Sequence, residues 1–317
     1  MQILFMKKTS KLFLIVILLF IFSGCQREQT EDIYILYTND VASAVNEGVT
    51  YAGVKGYYDE MKSQHKYVGL VDSGDFYDGK VASMSHGDYI TDIMNKIGYE
   101  FVAIGNQEFS IGLDNLQRNI KNSKFKFLSC NIKFIGRGRN KLNKVKSYEI
   151  KRYGPTKIAF IGVTTPETLN EGKNAYEAIS QDGKPLYYFY EDDPQLLYQQ
   201  VQKTVNKVRN RVDYVIVLSH LGSNSVKEGY SSYDLIQNTN GIDVVLDGHS
   251  HTVIHGEPVN NMDGDMVVLT STGKELENIG VLSIHPDHSF TTVLYPSVEN
   301  KDPQIQELCD SIMSLIN

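Results

Sequence analysis

Five short segments carry side chains able to bind a metal ion. They are Asn39-Asp40, Gly74-Asp75, Gly105-Asn106-Gln107-Glu108, Ser219-His220 and Gly248-His249-Ser250-His251. Imidazoles suit zinc and other transition metals, and carboxylate-rich sites also accept manganese. Each segment directly follows an apolar run: Asp40 after Tyr37, Asp75 after Val71, Asn106 after Ile104, His220 after Leu218 and His249 after Leu246. In open α/β sheets ligands bind beyond the carboxyl ends of the strands, where loops converge. A single Gly-Asp or Ser-His carries no information. Five strand ends delivering oxygen and nitrogen donors to one edge read as a site rather than as core polar residues.

The elements that must position these residues alternate. Strand-like apolar runs fall at 33–37, 67–71, 101–104, 125–129, 157–163, 214–218, 244–246 and 266–269. Segments with apolar residues three and four apart fall at 54–62, 89–97, 113–122 and 196–209, and predict helices. Strand–helix alternation predicts an α/β architecture. No repeat, low-complexity block or proline-rich linker divides the body, so residues 33–317 read as one domain. Within 302–316, Ile305, Leu308, Ile312 and Ile316 recur at helical spacing and predict a C-terminal helix packed on that domain.

With 317 residues and 41% hydrophobic content, the chain is long enough to bury a substantial core. Residues 1–24 stand apart. Lys7, Lys8 and Lys11 precede an apolar run at 12–22, which is too short for a spanning helix of about 20 residues. It reads as the core of a signal peptide. Phe22-Ser23-Gly24-Cys25 resembles a lipoprotein box with Cys25 as the lipidated first mature residue, and 25–32 reads as a tether. Several acyl chains on one cysteine would anchor the chain stably to a membrane. The expected location is the cell envelope, exported and membrane-anchored.

Removing 1–24 removes three lysines and no acids, so the formal charge goes from −7 to −7 − 3 = −10. An acidic domain is a poor non-specific nucleic-acid binder, because that binding rests on Lys and Arg neutralising phosphates. The remaining cysteines, Cys130 and Cys309, are too few and too far apart for a disulfide framework.

The five segments, in this order, resemble the dinuclear site of calcineurin-like phosphoesterases in the version used by the 5′-nucleotidase family. The resemblance runs from Ile33 to about Ile284. It includes segments that bear no ligand: Tyr51-Ala52-Gly53, Asp92 to Tyr99, Leu128 to Ile132 and Gly162 to Thr168. It implies a two-sheet sandwich flanked by helices, with metal ions at one edge. Two ions about 3.5–4 Å apart would activate water and clamp phosphate oxygens. By resemblance one metal takes Asp75 as the bridge with Asn106, His220 and His249, and the other takes Asp40, Asp75 and His251. Zinc or manganese is the expected ion, with magnesium or calcium as alternatives, one or two per chain.

The pattern breaks in three places. The family's Asp-x-His appears here as Asp40-Val41-Ala42, and alanine cannot ligate. The family's Gly-Asn-His becomes Gly105-Asn106-Gln107, and the acid that supports that histidine falls on Ser110. Glutamine can donate a hydrogen bond to a phosphate oxygen but has no proton to transfer near neutral pH. Glu108 reads as a carboxylate that orients its loop. The resemblance therefore implies a metal-dependent hydrolase of nucleotides or related phosphoesters, with Asn106 and Gln107 contacting the phosphate. The alternative is a degenerate relative that binds metal or ligand and works with a partner. Many members of the family carry a further domain that grips the nucleoside, and a separate polypeptide could supply one here.

Overall fold

The computed structural model describes residues 29–169, 177–225 and 227–316. The leader 1–24, Cys25 and tether residues 26–28 lie outside the described residues. Two six-stranded sheets face one another. The first contains β1 (Ile33–Thr38), β2 (Val68–Asp72), β3 (Phe101–Ala103) and β4 (Lys126–Leu128), all parallel. The second contains β5 (Tyr148–Tyr153), β6 (Thr156–Thr164), β7 (Tyr214–His220), β8 (Val244–Leu246), β9 (Val253–Asn260) and β10 (Met266–Thr272). In it β6, β7, β8 and β10 are parallel, while β5 and β9 close its edges antiparallel. The antiparallel strands β11 (Ile279–Ile284) and β12 (Phe290–Tyr295) return to the first sheet beside β1.

Strand periodicity sorts side chains between two kinds of core. Ile33, Ile35 and Tyr37 of β1 face Ile158 and Phe160 of β6 and Tyr214, Ile216 and Leu218 of β7, and fill the space between the sheets. The alternate residues of β6 and β7, Ala159, Ile161, Val163, Val215 and Val217, pack outward. They meet Leu197, Val201, Val205 and Val208 of α5 (Pro194–Val208) and Leu235 and Ile236 of α6 (Ser232–Gln237). Central strands buried on both faces read as unbroken apolar runs, which is why they are visible in the sequence.

The outer face of the first sheet is covered by α1 (Tyr51–Gln64), α2 (Gly79–Ser85), α3 (Asp88–Ile97), α4 (Leu113–Asn122) and α7 (Pro303–Ile316). In α7 the buried residues are Ile305, Cys309, Ile312 and Ile316, with Leu308 only partly covered. Helix starts are set by local chemistry. Thr50 caps α1 by accepting from Gly53 N (3.1 Å), and Asp193 caps α5 ahead of Pro194. Ser231 and Asp234 form a reciprocal capping box on α6.

The result is the helix-flanked two-sheet sandwich expected from the sequence. Strands β5, β9, β11 and β12 are additions to that expectation. The edge strands β5, β9 and β12 are half exposed and mix polar with apolar residues, and so lack the apolar density of the centre. Cys130 and Cys309 are both free and buried. Among the described residues no helix is long and apolar enough to cross a membrane.

Phe160 has no exposed surface and packs against Phe101 from the opposite sheet, with ring centroids 4.9 Å apart. Phe160→Ala is expected to cost about 3–5 kcal/mol of unfolding free energy in urea titrations, since the sandwich cannot collapse on the cavity. A loss under about 1 kcal/mol would mean that the inter-sheet core is not packed as described.

Candidate metal centre

The parallel strands of both sheets end at one edge, and the segments after β1, β2, β3, β6, β7 and β8 meet there. Asp75, His220 and His249 each bring a ligand atom within 4.8 Å of the others. His220 Nε2 lies 3.0 Å from Asp75 Oδ2 and 3.9 Å from Asp40 Oδ1. Asn106 is buried beside them, at the start of the short turn Gln107–Phe109. His251 stands apart. Its Nε2 is 3.6 Å from Asp40 Oδ1, but its side chain is 53% exposed against 1% for the aspartate, so it sits at the mouth. Ala42 continues the Asp40 loop and offers no donor. Gln107 and Ser110 lie on the half-buried rim.

The loops are held by their own polar groups. Asn39 donates to Asp40 Oδ2 and Gly273 O (both 2.7 Å) and accepts from Thr272 N (2.8 Å) and Oγ1 (2.7 Å). Asp40 in turn accepts from His249 N (2.8 Å), and Gln107 N donates to Asp75 Oδ1 (2.8 Å). The Glu108 carboxylate accepts four backbone N–H groups, from Asp75, Phe76, Tyr77 and Gly105. The role expected of Glu108, orienting its loop, is what these bonds do. Ser110 Oγ donates to Gln107 O (2.7 Å), which stabilises the short turn.

Crowding explains two of the motif glycines. A Cβ on Gly105 would lie 2.1 Å from Asp75 Oδ1, and one on Gly248 would lie 2.9 Å from Asp40 Oδ2. Asp40, Asp75, His249 and His251 all adopt positive φ, between 49° and 78°. Non-glycine residues rarely do so, and such strain collects at functional sites.

The electrostatics call for a cation. His220 donates Nδ1–H to Ser73 O (2.7 Å), which fixes the tautomer and leaves Nε2 as a lone-pair donor. That nitrogen is fully buried and makes no hydrogen bond, although Asp75 Oδ2 is 3.0 Å away. Burial works against a charged His220, but Asp75 and Asp40 outweigh it and hold the imidazole well above its usual range. With no ion in the site a proton would therefore sit on Nε2, and a bound cation would take that proton's place. Burial likewise opposes ionisation of Asp75, yet His220 and His249 hold its carboxyl below the usual range. Burial pushes Asp40 up, only partly countered by His220. Glu108 is pushed up to about 7 by burial and by the Asp75 charge. Buried carboxylates around an orphaned imidazole nitrogen fit a divalent ion.

One residue of the site escapes sequence reasoning. Glu167 follows β6 in Thr165-Pro166-Glu167-Thr168, is 5% exposed, and places Oε2 3.0 Å from His249 Nε2. The available signal is its position, just past an apolar run like the ligands themselves. A hollow of about 580 Å³ beside Tyr198, Gln202 and Met262 has neither a carboxylate nor an imidazole in its lining, and is no rival to this edge.

A two-sheet sandwich with oxygen and nitrogen donors gathered at its strand ends is the fold of the calcineurin-like phosphoesterases. A family model described as Bacterial capsule synthesis protein PGA_cap matches residues 68–271, and the chain belongs to that family. It is also similar to a snake venom 5′-nucleotidase from Gloydius brevicauda, 30% identical over 72% of this chain and 38% of that protein. The chain thus spans about two fifths of that relative's length. In fold it is similar to a 5′-nucleotidase precursor from Thermus thermophilus, with a TM-score of 0.75, 20% identity, and coverage of 90% of this chain and 59% of that one. A calcineurin-like phosphoesterase from Bacillus subtilis aligns with a TM-score of 0.71 and 19% identity, over 90% of this chain and 98% of that one.

Asp247, at the end of β8, gives a pH signature. Burial lifts its carboxyl to about 6 from 3.8, against hydrogen bonds from Ser232 Oγ (2.7 Å) and Gly222 N (3.2 Å). Between about pH 4 and 6 the folded chain keeps a proton that the unfolded chain has released. The stability from this group is therefore full below that window and lost as pH rises through about 6. In chelator, Asp247→Asn is expected to gain on the wild type by on the order of 2–3 kcal/mol between about pH 4 and pH 7. Denaturant unfolding at both pH values reads this directly, and parallel pH curves would refute it.

Proposed function

We propose that the chain is a divalent-metal-dependent phosphoester hydrolase acting on nucleotides or related phosphoesters. The observation that carries this reading is the convergence of Asp75, His220 and His249 within 4.8 Å, with a buried imidazole nitrogen aimed at a carboxylate. The similarity to 5′-nucleotidases supports the substrate class. Asp75, Asn106, His220 and His249 would hold one ion, and Asp40, Asp75 and His251 a second, more exposed one. Bound divalent ions of this kind neutralise phosphoryl charge and make water more acidic.

The chain's own residues do the rest. Ser73 O fixes the His220 tautomer, and Asp40 fixes the His249 backbone. Gln107 sits at the rim with its backbone N–H on Asp75, and its amide can donate to a phosphate oxygen. Neither Gln107 nor Ser110 can transfer a proton near neutral pH. General acid catalysis typically contributes about 10²–10⁴-fold, equivalent to roughly 3–5 kcal/mol of barrier. Aryl esters and anhydrides, whose leaving groups need little proton help, should therefore react better than nucleotides.

A second reading is a metal- and ligand-binding relative without turnover, acting with a partner that brings a nucleoside-binding surface. The specific observation behind it is that the Ser110 hydroxyl bonds the Gln107 carbonyl, so neither position supplies the titratable side chain that the missing histidine would. For either reading we infer attachment to an envelope membrane through Cys25, on the strength of the leader and the lipoprotein box.

Metal content of the full-length chain in detergent, and hydrolysis of an aryl phosphate and a nucleoside monophosphate with added manganese or zinc, separate the readings. Bound metal with turnover that Asp75→Asn abolishes is the expected result, and Gln107→His with Ala42→His is expected to raise nucleotide hydrolysis by about tenfold or more. Bound metal without turnover favours the second reading. No bound metal under any condition would exclude both.

A further inference from the structure

We propose that Glu167 is a positioning residue that fixes which nitrogen of His249 faces the metal, and so sets how tightly the ion is held. The inference rests on the metal centre described above.

His249 is gripped from two sides. Its backbone N–H donates to Asp40 Oδ2 (2.8 Å) while its φ is held at +78°. Its Nε2 lies 3.0 Å from Glu167 Oε2, within hydrogen-bond reach. A carboxylate has only lone pairs to offer, so the contact is favourable when the imidazole donates Nε2–H. The opposite tautomer would set two lone pairs against each other in a nearly dry setting. Glu167 therefore selects the form in which Nδ1 carries the ligating pair.

Glu167 is itself held. Its second oxygen accepts from Ser225 Oγ (2.5 Å) and Lys227 N (3.4 Å), both in the segment after β7. Its own N–H donates to Thr165 Oγ1 (3.2 Å), and Thr168 Oγ1 closes the same turn onto Thr165 O (2.6 Å). The carboxylate is thus fixed before any ion arrives.

His220 and His249, the two inner histidines, consequently present opposite ring nitrogens. His220 donates Nδ1–H to a neutral carbonyl and offers Nε2. His249 donates Nε2–H to a charged carboxylate and offers Nδ1. A carboxylate behind a ligating imidazole raises its basicity and orients the ring, and losing such a partner typically costs about 10–100-fold in metal affinity or activity. Glu167 makes His249 the stronger nitrogen donor.

The test is zinc binding by the full-length chain in detergent, read by competition with a chromophoric chelator, together with the visible spectrum of the cobalt-loaded protein. Glu167→Ala is expected to weaken zinc about 10–100-fold and to alter the cobalt spectrum, with the circular dichroism of the fold unchanged. Glu167→Gln keeps an oxygen acceptor for Nε2–H without the charge, so it should recover part of the affinity and the wild-type spectrum. Ser225→Ala leaves Oε2 in place and should change affinity less than Glu167→Ala does. A Glu167→Ala affinity within about twofold of wild type overturns the proposal, since the loss of such a partner costs far more. Equal loss in all three variants also overturns it, because that would mark a purely structural role. If Glu167→Ala does not fold, the contrast between Glu167→Gln and Ser225→Ala decides on the same terms. Wild type that binds no zinc would overturn the metal centre itself, whereas normal wild-type binding with unaffected variants overturns only the role of Glu167.

Discussion

The site depends on a buried carboxylate outside the donor set. Glu108 has no exposed surface, and a bare carboxylate there would carry a large desolvation cost. Backbone N–H groups from Gly105, Asp75, Phe76 and Tyr77 offset that cost, and in doing so they bind the loop after β3 to the loop after β2. This fixes the left-handed backbone of Asp75, φ 62°, and brings Gln107 N onto its carboxylate. A glutamine at 108 would turn an NH₂ toward some of those N–H donors. The acid is required because every one of these four partners is a donor.

The same logic extends across the two sheets. Ser73 donates to Leu246 O (2.8 Å) and its carbonyl accepts from His220, so the loop after β2 is tied to β8 and β7 at once. Asn39 ties the end of β1 to the end of β10. Tyr37 OH meets Thr270 Oγ1 (2.6 Å) in the space between the sheets. Strand ends locked this way can carry several ligands in positive-φ conformations, because the surrounding bonds over-determine the strain. The donor set is assembled by the fold, and the buried negative charge it concentrates is what a cation would neutralise.

The departures from the family pattern fall unevenly over this frame. Asp75, Asn106, His220 and His249 lie in the interior, where hydrogen bonds from both sheets support the loops that carry them. The changes lie nearer the outside: Ala42 in the Asp40 loop, and Gln107 and Ser110 on the rim, all three only half-buried. Ser110 has acquired a local task, closing the turn Gln107–Phe109, which an acid would not perform in the same way. The positions that differ from the expected pattern are thus the less buried ones, while the inner donors stand on loops held by hydrogen bonds from both sheets.

The amino-acid sequence by itself determined the α/β plan, because strands buried on both faces must be unbroken apolar runs and the candidate ligands follow their ends. The division into two sheets came only from the resemblance of its motifs to a known family. The sequence also named the candidate donors, of which the fold brings Asp75, His220 and His249 together, and residue identity alone says that alanine cannot ligate and glutamine cannot transfer a proton. The edge strands β5, β9 and β12 are not legible in it, because half-exposed strands lose the apolar density that marks the centre. Only the tertiary structure could show Glu167 behind His249, since a partner 82 residues away leaves no spacing to read. It also placed His251 at the mouth while bringing Asp75, His220 and His249 together. Local sequence fixes which atoms a side chain carries. Which lone pairs face one another, and how much water remains between them, is decided by the packing of one sheet against the other.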